Sequence, residues 1–129
     1  MKKEKFEIEF ILEKVSRKSL WDHLTKSLRI SLWFADRVDI NDKIYTFYWG
    51  NQSEQAELLN SKKYKKVRYR WLDEEDKTTF WEFRIHTIEL TGSTVLELTD
   101  FATPEEKSDS IDLWDQQIVE LKRTLGVSI

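Results

Sequence analysis

Residues 15–34 read V-S-R-K-S-L-W-D-H-L-T-K-S-L-R-I-S-L-W-F, and they are the most informative part of the chain about its fold. It combines two short helical patterns that are separated by a break at Lys26-Ser27. Ser16 is a residue type that caps helix N-termini, and the first helix then has an apolar side formed by Leu20, Trp21 and Leu24. The second helix is predicted to bury a stripe that consists of Leu28, Ile30, Leu32, Trp33 and Phe34.

Strand patterns lie on both sides of these helices. Before them, apolar residues alternate with Glu7 and Glu9 in residues 6–12, which predicts a strand with one apolar face. After them, further strands are predicted at residues 38–40, 44–49, 54–60 (a weaker, edge-like strand), 67–71, 81–85 and 96–101. Short turns such as Asn41-Asp42 and Gly50-Asn51 separate these strands, so the sheet is expected to be antiparallel.

A long amphipathic helix is predicted over residues 104–125. Thr103 and Glu106 have the spacing of a capping box, Pro104 suits the first helical position, and Gly126 suits the end. The apolar stripe of this helix consists of Ile111, Trp114, Ile118, Leu121 and Leu125. Since no other predicted helix is long enough to cover the sheet, the pattern predicts an α+β fold. In this fold a curved antiparallel sheet wraps around the long C-terminal helix, and two short helices follow the first strand.

Composition limits what the chain can do. Its 129 residues correspond to one domain spanning 1–129, with 40% hydrophobic and 35% charged residues. The chain has no cysteine, which excludes disulfides and thiolate chemistry. The net charge of −3 argues against general nucleic-acid binding. No apolar run approaches the roughly 20 residues of a membrane span. A soluble cytoplasmic protein without a cofactor is predicted.

Three short motifs resemble a known superfamily. They are Leu20-Trp21 with Leu24-Thr25, Trp33-Phe34, and Trp114 with Ile118 and Leu121. In this combination the chain resembles the START-like (SRPBCC, Bet v 1-like) helix-grip superfamily, and within it the branch related to activators of the heat-shock-protein-ninety ATPase. The resemblance implies a stand-alone START-like domain of the type found in Bacteroidetes. Two positions depart from that branch, because Ser16-Arg17 replace Ala-Pro and Leu113 replaces the Gly before Trp114.

The resemblance also implies a cavity between the sheet and the long helix that holds a small hydrophobic or amphipathic ligand. Aromatic side chains would form its walls, and Tyr45, Tyr69 and the indole N–H groups would orient the ligand. The predicted cavity residues are Trp33, Phe34, Phe47, Trp49, Tyr69, Trp71, Trp81, Phe83, Leu98, Asp100, Trp114 and Ile118. The alternative is that these large rings fill the space and leave a packed core.

Asp100 is the charged residue of most interest in this set. The two-residue period of a strand turns it inward together with Leu96 and Leu98. A buried carboxylate needs a partner or a shifted pKa. Asp100 is therefore a candidate for binding the polar group of a ligand, and the alternative is a bond to nearby backbone or to an arginine at the rim.

The two histidines do not predict a metal site. His23 is expected on the polar side of the first helix, and His86 is expected on the outer face of the sheet with Glu82 and Arg84. No third ligand is spaced along the chain to join the two histidines.

A basic run extends over residues 62–70 and is interleaved with Tyr64 and Tyr69. Such a run suits an acidic protein partner, anionic lipid or single-stranded nucleic acid. The alternative is the solvated face of an edge strand, where charges discourage aggregation.

Catalytic motifs are not recognisable in the sequence. It contains no nucleophile–base–orienter set, phosphate-binding glycine loop or paired-carboxylate site of identifiable geometry, so a non-enzymatic ligand-binding module is predicted. One alternative is a protein-interaction module that resembles the ATPase activators. Another is a cyclase-like enzyme that uses Asp100 and the tyrosines. Binding to nucleic acid and stable insertion into a membrane are not expected, and the oligomeric state stays open.

Overall fold

The computed structural model describes residues 2–127. Within them, helices and strands follow one another in the predicted order. They are β1 (Glu4–Leu12), α1 (Arg17–Thr25), α2 (Ser27–Ile30), β2 (Arg37–Asn41), β3 (Ile44–Trp49), β4 (Gln52–Lys62), β5 (Lys66–Trp71), β6 (Trp81–Thr87), β7 (Thr94–Ala102) and α3 (Lys107–Leu125). None of the described helices is long and apolar enough to span a membrane.

The seven strands form one antiparallel sheet in the order β1-β7-β6-β5-β4-β3-β2. Successive strands from β2 to β7 are neighbours, and β1 pairs with β7 from Glu4 opposite Ala102 to Leu12 opposite Thr94. The curved sheet and α3 confirm the predicted helix-grip architecture. The turn between β2 and β3 lies one residue later than predicted, because Asn41 still pairs with Ile44 and Asp42 adopts the left-handed conformation (φ 55°).

The predicted edge position of β4 is wrong. β4 lies between β3 and β5, while the edges of the sheet are β1 and β2. Its weak apolar pattern has two local causes. Only Ala56 of this strand is fully buried, and a shift in register between Leu58 and Asn60 interrupts the alternation of side chains. β5, which contains much of the basic run, also lies inside the sheet.

Polar groups of aromatic residues satisfy the carbonyl end of α1. The N-terminus of this helix is capped as predicted, because the backbone N–H of Ser19 donates to Oγ of Ser16 over 3.0 Å. At the other end, three residues donate hydrogen bonds to carbonyl oxygens that the helix leaves without a partner. These bonds are Trp33 Nε1 to His23 O (2.7 Å), Tyr69 Oη to Leu24 O (3.0 Å) and Tyr45 Oη to Thr25 O (3.4 Å). They fix α1 against β3, β5 and the segment after α2.

Two predictions about the short helices are wrong. Leu28 and Leu32 are 82% and 51% exposed. α2 is a single turn that buries only Ile30, and Leu32 lies beyond its end. His23 is only 4% exposed and not on a polar surface. Its Nδ1 lies 2.7 Å from the carbonyl oxygen of Ser19, so the ring is held within its own helix.

The long helix supplies the centre of the core. Trp114, Ile118 and Leu121 are buried, as their spacing predicts. α3 begins at Lys107 and not at residue 104, because Thr103 and Glu106 make their reciprocal hydrogen bonds in a turn that precedes the helix. It ends as predicted at Gly126, which has a φ of 78°.

Candidate functional site

Seven of the predicted cavity residues lie in a packed core. Phe34 contacts several of them and its ring is 5.2 Å from that of Phe47, and the Tyr69 and Trp81 rings stack at 4.4 Å. The space left among these aromatic rings is only about 10 Å³, which is no larger than a single water position. The seven residues are Trp33, Phe47, Tyr69, Trp81, Phe83, Leu98 and Ile118.

The other five predicted residues line a groove of about 380 Å³ beside the first half of α3. We call it the α3 groove. Its walls are formed by the five predicted residues Phe34, Trp49, Trp71, Asp100 and Trp114. Its rim is formed by Gln52, Glu54, Ser110, Leu113 and Gln117.

Neighbouring groups hold the aromatic walls of the α3 groove in place. Trp114 stacks against Phe34 with ring centroids 6.0 Å apart and an interplanar angle of 17°. Trp49 donates its Nε1–H to the carbonyl oxygen of Phe34 over 2.8 Å. The rings of Trp49 and Trp71 lie 6.3 Å apart. The walls are therefore fixed before any ligand arrives, which lowers the entropic cost of binding.

Asp100 forms the polar part of the groove. Its Oδ2 accepts a hydrogen bond from Trp114 Nε1 over 2.8 Å, and its Oδ1 accepts one from the backbone N–H of Phe101 over 2.7 Å. Burial raises the pKa of Asp100 above its ordinary value of 3.8, and these two hydrogen bonds oppose that shift. Asp100 and Glu54 are the charged residues among those that line the groove, so the electrostatic field there favours cations.

Several of the polar groups that were predicted to orient a ligand make hydrogen bonds within the protein. The hydroxyls of Tyr45 and Tyr69 donate to carbonyls of α1, and burial raises the pKa of both tyrosines, so these hydroxyls stay protonated donors at neutral pH. The indole N–H of Trp33 also donates to a carbonyl oxygen of α1, that of His23. The Nε1 of Trp81 is buried and has no hydrogen-bond partner among residues 2–127.

Glu82 lies on the outer face of the sheet, as the alternation of β6 predicts. Its side chain is nevertheless only 3% exposed, because Arg68 and Arg84 both bond to it. His86 lies on this outer face as expected. Strand pairing brings Glu9 and Glu97 beside it, with their ligand atoms within 4.8 Å of one another, which spacing along the chain could not indicate. These three side chains largely face solvent, and we assign no metal site to them.

Comparison with known proteins identifies the class to which this fold belongs. The family model of the START-like superfamily domain matches residues 1–127. The chain therefore belongs to the START-like superfamily, which confirms the resemblance seen in its motifs. A comparison with curated proteins gave no match.

Solved structures from several bacteria share this fold. The solution structure of BfR322 from Bacteroides fragilis is 39% identical, with 96% of this chain and 92% of that chain covered and a TM-score of 0.71. The Aha1 dimer from Colwellia psychrerythraea is 14% identical over 95% and 96% of the two chains, with a TM-score of 0.79. DynU16, from the dynemicin biosynthetic locus, is also 14% identical over 95% of this chain and 47% of its own, with a TM-score of 0.79. The last two similarities show the fold alone.

Proposed function

We propose that the protein binds a small amphipathic ligand in the α3 groove. The observation that carries this proposal is a groove of about 380 Å³ in which four fixed aromatic side chains and one partly buried carboxylate, Asp100, line the same space. Ligand pockets in proteins combine apolar walls with a few well-placed polar groups in this way, and they have volumes of about 300–1,000 Å³. The packed core leaves no comparable space among its rings.

The chemistry of the groove indicates which end of the ligand lies where. An apolar or aromatic body would pack against Trp49, Trp71 and Trp114. A hydrogen-bond donor or a cationic group would lie toward Asp100 and Glu54, because a cation gains both from the carboxylates and from the faces of the indoles. An anionic group would be repelled. We therefore expect cationic and neutral amphiphiles to bind more tightly than anionic ones.

The two alternative functions have less support. The 14% identity to Aha1 does not extend beyond the fold, and so carries no argument for a co-chaperone role. A cyclase-like enzyme would need several polar groups that converge on a substrate. Among the residues that line the α3 groove, Asp100 is the one partly buried carboxylate, and the tyrosine hydroxyls bond to α1. The absence of catalysis stays a prediction.

The proposal is tested by closing the groove. Gln117 lies on its rim, whereas the adjacent Gln116 is exposed on the same helix and does not line it. Isothermal titration with octyltrimethylammonium is expected to show binding to the wild type and to Gln116→Trp, and at least about tenfold weaker binding to Gln117→Trp. Equal binding to all three proteins, or to none, would contradict the proposal. Native mass spectrometry of freshly purified protein then searches for the natural ligand.

A further inference from the structure

A buried glutamate holds two arginines on the outer face of the sheet, opposite to the core. Glu82 accepts a hydrogen bond from Nε of Arg68 on Oε2 (2.7 Å) and one from Nε of Arg84 on Oε1 (2.8 Å). Burial opposes ionisation of Glu82, but the two guanidinium groups outweigh it and hold the pKa of its carboxyl below the ordinary value of 4.5. One negative charge thus fixes two positive ones.

Only one nitrogen of each guanidinium is used in this arrangement. The terminal nitrogens of Arg68 and Arg84 have no acceptor among residues 2–127. The guanidinium of Arg68 also lies over the ring of Phe80, with its Cζ 3.7 Å from the ring centroid, which fixes the plane of the group. Each arginine therefore presents a pair of oriented donors of the kind that binds phosphate or carboxylate with two hydrogen bonds.

The surroundings of this arginine pair are strongly basic. The groove around it has a volume of about 680 Å³ and is lined by seven Lys or Arg residues but only three Glu, in a chain whose net charge is −3. Five of these cations form no ion pair within the described part of the chain, namely Lys5, Arg17, Lys62, Lys65 and Lys66. Protection of an edge strand does not explain this charge, because β5 lies inside the sheet.

We propose that this outer groove is a second ligand site and that it binds a phosphate monoester. A dianionic phosphate offers enough acceptor oxygens for the paired donors of both arginines, and the surrounding lysines neutralise the remaining charge. The phosphate would belong to a soluble metabolite or to a lipid headgroup, which share this chemistry. Glu82 acts as a positioning residue that aims the two arginines.

The first test uses phenyl phosphate as the probe in titrations at low ionic strength, where screening of exposed charges is weakest. Arg84→Lys keeps the positive charge but removes the paired N–H donors of the guanidinium, and we expect it to weaken binding about tenfold or more. Arg37→Lys is the matched control, because Arg37 is an exposed arginine on β2 that pairs with Asp39 and does not line this groove. We expect Arg37→Lys to bind like the wild type. Equal binding by Arg84→Lys and the wild type would overturn the proposal.

A second measurement covers the positioning role and the source of the phosphate. Glu82→Gln should weaken binding of phenyl phosphate while the far-ultraviolet circular dichroism spectrum stays native, and unchanged affinity in this folded variant would overturn the role of Glu82.

Vesicles of phosphatidylcholine with and without phosphatidic acid distinguish a lipid headgroup from a soluble metabolite as the source of the phosphate. Binding of phenyl phosphate without binding to vesicles supports a soluble ligand, and binding only to vesicles with phosphatidic acid supports a headgroup. Binding of neither, or of single-stranded oligonucleotides alone, would contradict the proposal.

Discussion

Trp114 Nε1 donates a hydrogen bond to Oδ2 of Asp100 over 2.8 Å, which joins the long helix to the last strand at the α3 groove. Trp114 belongs to the motifs that resemble the START-like superfamily, and Asp100 was singled out by strand alternation alone. Their contact places the tryptophan of the family motif and the partly buried carboxylate in one site. It also makes Trp114 a natural reporter for the ionisation of Asp100.

We predict that the indole N–H resonance of Trp114 titrates with a midpoint above 3.8, the ordinary pKa of Asp. Burial raises the pKa of Asp100, so its carboxylate takes up a proton at a higher pH in the folded protein than in the unfolded chain. In that pH window, protonation of Asp100 favours the folded state, and this residue does not drive acid unfolding. The measurement is a series of two-dimensional ¹H–¹⁵N spectra from neutral to acid pH. A midpoint at or below 3.8 would show that the hydrogen bonds to Asp100 outweigh its burial.

Glu82 is predicted to behave in the opposite way. Its folded pKa lies below the ordinary value of 4.5, so its contribution to stability is present above that value and is lost as the pH falls through the folded pKa. Glu82→Gln should lower the free energy of unfolding by about 1–2 kcal/mol at neutral pH. The loss is expected to be small because both arginine side chains are partly exposed to solvent, which weakens their ion pairs with Glu82. This deficit should disappear in acid. Urea unfolding at several pH values measures it. Asp39→Asn, which alters an exposed ion pair, should have little effect, and a deficit for Glu82→Gln that persists in acid would contradict this account.

The hydrogen bond from Tyr69 to α1 is predicted to stabilise the fold. Tyr69→Phe leaves the buried carbonyl of Leu24 without its donor, so we expect a loss of about 1–2 kcal/mol in the free energy of unfolding. Tyr45→Phe is the matched control, because its bond to Thr25 is longer at 3.4 Å and its loss should cost less. Urea unfolding of both variants checks the order. A larger effect at Tyr45 would show that Tyr69 does not anchor α1.

The head group of a ligand should determine its affinity for the α3 groove. With the same octyl chain, we expect octyltrimethylammonium to bind most tightly, octyl glucoside less tightly and octyl sulfate least, because Asp100 and Glu54 are the charged lining residues. Titration calorimetry measures the series. The preference for the cation over the neutral glucoside should decrease when Asp100 takes up a proton in acid. Tightest binding of octyl sulfate would contradict the predicted preference of the groove for cationic head groups.

Most of the fold could be predicted because its signals are local. The alternation of residues 6–12 and the three- and four-residue spacing around Trp114 each arise within one element, and both match the structure. The interior position of β4, between β3 and β5, and the burial of Glu82 against Arg68 and Arg84 depend on contacts made when the strands assemble. The alternation of residues within a single strand carries no signal for such contacts.

The candidate site could be predicted in part for the same reason. Five groove residues were predictable because they are aromatic or lie on the inward face of a strand. They are Phe34, Trp49, Trp71, Asp100 and Trp114. The sequence could not separate them from residues such as Phe47, which fill the core. The rim residues Gln117 and Glu54 have no periodic signature, because exposed positions are under little packing constraint.

Ligand binding in the α3 groove is tested most directly by the indole N–H signals of the six tryptophans. Octyltrimethylammonium is titrated into ¹⁵N-labelled protein while two-dimensional ¹H–¹⁵N spectra are recorded. We predict saturable shifts for Trp49, Trp71 and Trp114, which line the groove, and no comparable shift for Trp21, which lies against Tyr64 outside it. Unchanged signals from the three groove tryptophans, or equal shifts of Trp21, would contradict the proposed site.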